Sequence, residues 1–189
     1  MSRSTSPALL AAAALVFATA LHAQNPTPAP AAAPDLSDPE VAHVAVTANS
    51  IDIDAAKFAL TRTRNAGVKQ FAQTMITDHS AVNEQAAALA KKLGVTPADN
   101  AVSQSLQAGA KQARATLVPL QGAAFDRAYM DREVAYHQAV LDAIDKVLIP
   151  TTENSELRKL LTEVRPAIAT HLDHAKQLRN QLGAGGAGK

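Results

Sequence analysis

The run VKQFAQTMITDHSAVNEQAAALAKKL, residues 68–93, followed by Gly94, decides the fold. Its apolar residues Val68, Phe71, Met75, Val82, Ala86, Leu89 and Leu93 step by three and four, the recurrence of one face of an α-helix. A strand would alternate by two. One step of the series is missing its apolar residue, and His79 stands there. Gly94 is suited to the left-handed residue that closes a helix.

Upstream, Asn65-Ala66-Gly67 interrupts the pattern, and a second helix reads back to Asp38-Pro39-Glu40. The spacing predicts Asp38 as N-cap, with proline at the first helical position and a further acid in the first turn. Val41, Val44, Ala48, Ala55 and Ala59 are its expected apolar face. Downstream, Thr96-Pro97-Ala98-Asp99 carries a capping residue, an N1 proline and an N3 acid. The helix expected after it, to about residue 117, has a weak stripe (Val102, Leu106, Ala113, Leu117) and reads as a connector lying over the others. After Pro119 and Gly122 comes a helix over about 123–148, with Met130, Val134, Leu141, Ile144 and Leu148 on one face and Pro150 as its stop. Asn154 can cap the last helix, which carries Leu157, Leu161, Val164, Ile168, Ala175, Leu178 and Leu182. Pro166 inside it is expected to kink or divide it.

Four long amphipathic helices and a connector predict an all-α fold, a four-helix bundle with an additional connecting helix. Composition agrees. Aromatics are 3% of the 189 residues, so the apolar content is mostly alanine, leucine and valine, which suits helices and not a β-sandwich. With no cysteine, disulfides, thiolate metal sites and cysteine nucleophiles are excluded. No Gly-rich phosphate loop and no basic excess argue against nucleotide and nucleic-acid partners.

Residues 1–23 read as a secretory signal: Arg3 is the sole charge, Ala8 to Leu21 is almost wholly apolar, and Ala23 is a small residue before the cut. The apolar run is about 14 residues, short of the roughly 20 a membrane span needs. Cleavage would leave no stable membrane anchor, place the protein in the periplasm, and remove Arg3, balancing 17 Lys+Arg against 17 Asp+Glu. Residues 24–37 read as a Pro/Ala-rich linker, 38–182 as the helical domain and 183–189 as a flexible Gly/Ala tail.

Three of the long helices place a histidine where a core residue belongs: His79, His137 and His171. The first helix offers Asp52 at the equivalent step. All lie near mid-helix, with His171 expected about a turn off the common level. Bundle interiors are where ligands from facing helices converge, and imidazole with carboxylate suits zinc, copper, iron or manganese. His174, three residues after His171, is a further candidate ligand. Met75, one turn before His79, would tilt the choice toward copper, and Glu133, one turn before His137, is a candidate ligand or ligand support. Asp52, His79, His137, His171 and His174 are thus the expected metal residues. The alternative is a set of structural polar residues in the core of a non-catalytic envelope adaptor or stress protein with a protein partner. A third reading has the histidines charge in mild acid and loosen the bundle. No Glu-x-x-His step precedes any of these histidines, which argues against a di-iron carboxylate centre. No catalytic constellation is found.

The segments 68–83 (VKQFAQTMITDHSAVN), 122–130 (GAAFDRAYM), His137 and 168–176 (IATHLDHAK) resemble the family called domain of unknown function 4142, over about Val41 to Leu178. The resemblance implies an exported, ferritin-like helical bundle and no particular activity. Asp78, His79, Phe125, Asp126, Tyr129, His137 and His171 match the family's recurring positions. Near the middle of the first helix the family tends to read Gly-Met-Ala-Glu, where this chain has Asn49-Ser50-Ile51-Asp52. The family's outer-membrane label finds no β-barrel pattern here and no lipid-attachment cysteine. Asp126 is expected in the first turn of the fourth helix, with Phe125 and Tyr129 packed one turn apart.

Overall fold

Capping chemistry sets the helix ends in the computed structural model, which describes residues 34–184. The signal (1–23), most of the linker and residues 185–189 of the tail lie outside the described residues. The first helix, α1 (Asp38–Arg62), begins one residue earlier than the acid-proline pattern predicts. Ser37 is the N-cap: its N–H and hydroxyl both donate to the Glu40 carboxylate, at 2.9 and 2.6 Å. Asp38 is thereby freed to accept the N–H groups of Glu153 and Asn154, both at 2.9 Å, tying the start of α1 to the start of the last helix. Leu36, within the expected linker, is buried in the core.

Helix α2 (Ala66–Leu93) is capped by Asn65, whose side-chain oxygen accepts the Val68 N–H, and closes on Gly94 at φ 64°. Helix α3 (Ala101–Leu117) starts later than expected, on Asn100. Thr96-Pro97 lies outside any helix instead, and the Asn100 side-chain oxygen caps the new start by accepting the Val102 and Ser103 N–H groups at 2.9 and 3.1 Å. Helix α4 (Gly122–Ala143) runs into a π-helical turn (Ile144–Leu148) and a last turn, α5 (Ile149–Thr151). Pro150 therefore lies within helical structure. A proline ring clashes with the carbonyl four residues back, and the wider π turn ahead of it relieves that clash. Helix α6 (Ser155–Ala184) is capped by Asn154, as expected, and runs through Pro166 undivided. It also takes in the first two residues of the expected tail.

The helices pair as two hairpins, α1 with α2 and α4 with α6, and α3 lies across α1. At one end of the bundle Lys92 meets Glu156, and the Ala98 N–H donates to the Pro39 carbonyl at 3.0 Å. At the other, Arg62 reaches the Val118 carbonyl and Arg127 the Leu182 carbonyl, both at 3.2 Å. The connector thus carries the chain back along the bundle, so α4 starts at the end where α2 starts. The fold is the expected all-α bundle, two hairpins joined by one long crossover. Because α3 covers a second side of α1, the buried face of α1 is broader than one stripe and displaced by a residue. Asn49 and Ala56 are buried where Ala48 and Ala55 were expected.

Two apolar clusters fill the interior. Near the α1–α2 loop, Phe58, Phe71, Met75, Phe125, Tyr129 and Met130 lead the first. Toward the other end, Leu36, Val44, Leu148, Leu157, Leu161 and Ile168 form part of the second. Phe125 and Tyr129 stack at 6.2 Å, as their spacing predicts. Asp126, in contrast, lies beyond the first turn of α4 and is buried, with Oδ1 unpaired among the described residues. Helix-dipole stabilisation at the N-terminus does not describe it.

Candidate metal centre

Between the two clusters lies a layer of polar side chains, one or more from each long helix. Helix α1 supplies Asn49 and Asp52, one turn apart; α2 supplies His79; α4 supplies Glu133 and His137, one turn apart; α6 supplies His171. All six are buried. The imidazole centroids form a near-equilateral triangle, with His79–His137 at 5.8 Å, His79–His171 at 5.3 Å and His137–His171 at 5.6 Å. His171 lies level with the other two, without the turn of offset expected for it. One ring nitrogen from each of the three falls within 4.8 Å of the others.

Each imidazole has one nitrogen tied and one free. His79 Nδ1 donates to Asn49 Oδ1 at 2.7 Å, and His137 Nδ1 donates to the Glu133 carbonyl at 3.0 Å. His171 Nε2 donates to Asp78 Oδ2 at 2.9 Å. These acceptors fix the tautomers and leave lone pairs on His79 Nε2, His137 Nε2 and His171 Nδ1. All three nitrogens are buried with no hydrogen-bond partner among the described residues, and so is Asp52 Oδ2. Asp52 Oδ2 is 3.1 Å from His79 Nε2 and 3.7 Å from His137 Nε2. A tetrahedral ion with bonds of 2.0–2.1 Å spaces its donors about 3.3–3.4 Å apart, so these distances are those of neighbouring donors on one centre. Neither nitrogen has a proton to offer the carboxylate in the tautomers fixed above.

Arg132 closes the carboxylate side. Its Nη1 is 2.6 Å from Asp52 Oδ1 and 2.5 Å from Glu133 Oε1. Burial would raise the pKa of Asp52, but the contact with His79 and the charges of Arg132 and His137 outweigh it, holding this carboxyl well below the usual range. Burial, only partly offset by Arg132, and the nearby Asp52 charge push Glu133 well above its ordinary value. Burial lowers His137 to about 4 and also lowers His171, despite the carboxylates beside them.

His174 joins neither group of converging donors. Half-buried, it sets its ring edge-on against Phe71, with centroids 5.3 Å apart. It thus faces the aromatic cluster and not the layer. Met75 is likewise a member of that apolar cluster. Asn49 and Arg132 were not anticipated as part of the site. Asn49 lies three residues before Asp52 on the same face, a polar residue where α1 needs an apolar one. Arg132 lies beside the α4 stripe and carries no periodic signal; only the need of two seam carboxylates for a cation points to it.

No described helix is long and apolar enough to cross a membrane. A solved structure described as CopM in the Cu(II)-bound form has a similar fold, at TM-score 0.59 and 16% identity, over 78% of this chain and 99% of that one. No curated protein sequence matches the chain. The family described as Domain of unknown function (DUF4142) matches residues 23–178. The resemblance read from the 68–83, 122–130 and 168–176 segments is thereby shown, and the chain belongs to the DUF4142 family.

Proposed function

We propose that this protein is an exported, periplasmic metal-binding bundle that holds one transition-metal ion through His79 Nε2, His137 Nε2 and His171 Nδ1, with Asp52 Oδ2 as fourth donor. The observation that carries the reading is the paired state of the imidazoles. Each has one nitrogen anchored by an acceptor and the other buried, unpaired and turned to a common centre. Buried polar atoms are ordinarily satisfied, so four unpaired donors in one place need an explanation. Anchoring of the outer nitrogen is the support that metal-ligating histidines almost always have.

Three imidazoles and a carboxylate suit copper or zinc, and among divalent ions copper binds such donors most tightly. The fold neighbour described in a Cu(II)-bound form supports testing copper first. Four protein donors make a closed site with no position reserved for substrate, which favours holding an ion over catalysis.

The test is elemental analysis of untagged protein purified from the periplasm, beside His79→Ala. About one ion per chain, lost in a variant that keeps its helical circular dichroism, is the expected result. Protein that is metal-free and takes up neither copper(II) nor zinc on titration would return the histidines to a purely structural role.

A further inference from the structure

The three histidine donors do not account for all the unpaired atoms in the layer. Glu133 Oε2 is also buried without a partner among the described residues, and a second group of donors, Asp52, Glu133 and His137, lies within 4.8 Å of one another. Glu133 Oε2 is 3.5 Å from His137 Nδ1. Two carboxylates from facing helices, α1 and α4, are a donor set for a hard or borderline cation, beside His137, whose Nδ1–H is held by the Glu133 carbonyl. A cation is already there: the Arg132 guanidinium, one of whose nitrogens bridges Asp52 Oδ1 and Glu133 Oε1.

We infer that the Asp52–Glu133 pair beside His137 is a second cation position, which the chain fills with its own Arg132, so that the centre takes one metal ion and not two. This rests on the metal reading of the histidine layer.

Three features hold the arginine in that role. Its side chain is 11% exposed, so its charge is not shared with solvent. Its Cζ lies 4.2 Å over the Tyr136 ring, and the Tyr136 hydroxyl donates to the Ala48 carbonyl at 2.8 Å, fixing the platform beneath it. A single Nη1 spans both carboxylates, as one bridging ion would, leaving the other oxygen of each turned toward His137. A covalently tethered cation cannot leave or exchange, and like charge disfavours a second ion beside it.

The experiment compares wild type with Arg132→Met and Arg132→Gln by titration with copper(II) and, separately, zinc, counting equivalents bound. Glutamine retains donors for both carboxylates without the charge, so it guards against misfolding of the methionine variant. The expected result is one equivalent for wild type and two for either variant. One equivalent in all three, or two in wild type, overturns the inference. Failure of both variants to fold even in excess metal also overturns it, since an ion in the arginine's place should restore the layer. No uptake by wild type with one equivalent in a variant would sink the histidine site while leaving the arginine's role standing. No uptake by any of them sinks both.

Discussion

The two apolar clusters on either side of the polar layer are built differently. The one led by Phe58, Phe71, Phe125 and Tyr129 is aromatic and close-packed at its centre: Phe71, Met75, Phe125, Tyr129 and Met130 are all fully buried. The one at the other end is aliphatic and incompletely closed. Alanines Ala42, Ala45, Ala86 and Ala90 line it beside Leu89 and Leu160, and a cavity of about 80 Å³ remains among them. Helix α2 shows the change along its own length, since its buried residues all lie between Val68 and His79, and Val82, Ala86, Leu89 and Leu93 are half-buried. The polar layer therefore has a wall on one side and a loosely packed apolar passage on the other; Asn49 and Ile168 line that passage at the layer.

The largest expected effect comes from breaking the close-packed side. Phe71 packs edge-on against Tyr129, His137 and His174, and Phe71→Ala should cost about 3–5 kcal/mol. Leu161→Ala, at a buried leucine lining the cavity of the open side, should fall near 2 kcal/mol, the lower end for leucine, because its surroundings are already underpacked. Urea denaturation of both variants measures the difference. Equal losses would mean that the two clusters are equally well packed.

The bundle and its seams are legible in the sequence because the 3.6-residue recurrence is strong in α2, α4 and α6. The convergence of His79, His137 and His171 follows from their common seam positions. What escaped was what periodicity does not encode. Asn100 and Ser37 became capping residues because a side chain can satisfy the first turn from more than one position, so the cap chemistry shifts the boundary. The α1 stripe was displaced because α3 lies across it, a tertiary fact. Arg132 escaped because its place depends on two carboxylates meeting from different helices.

The polar layer can be pulled from between the clusters by pH. In the metal-free protein the unfolded chain protonates His137 and His171 near 6.5, whereas burial lowers both in the fold, His137 to about 4. The unfolded state then binds more protons as pH falls below 6.5, and stability drops. Asp52, lowered by its partners, adds to that loss below its ordinary value. Glu133 works in the opposite sense. Its pKa is raised, so above about 4.5 the fold retains a proton the unfolded chain has lost, and its contribution declines as pH rises. Where the histidines no longer oppose it, this contribution should make stability fall as pH rises. Glu133→Gln should abolish the alkaline decline. Denaturant midpoints from pH 5 to 8.5 check this; a decline that survives in Glu133→Gln assigns it to another group.

The smallest effect should be a gain. Ala86 lines the cavity and is half-buried on a helix, where leucine costs little in propensity. Ala86→Leu places added methyl groups into space that alanine leaves unfilled, and cavity filling of this kind commonly stabilises by about 0.5–2 kcal/mol. Since part of the new side chain stays near solvent, the low end is expected, about 0.5 kcal/mol. The same substitution narrows the apolar passage to the polar layer, so it should also slow the removal of bound copper by a chelator without altering the ion count. Stability and exchange rate then separate two accounts of the open side. A gain in stability with slower exchange makes it the route to the centre. A gain with unchanged exchange makes it only a packing defect, and metal would have to reach the histidines along the Asp78 side of α2, where that half-exposed carboxylate holds His171.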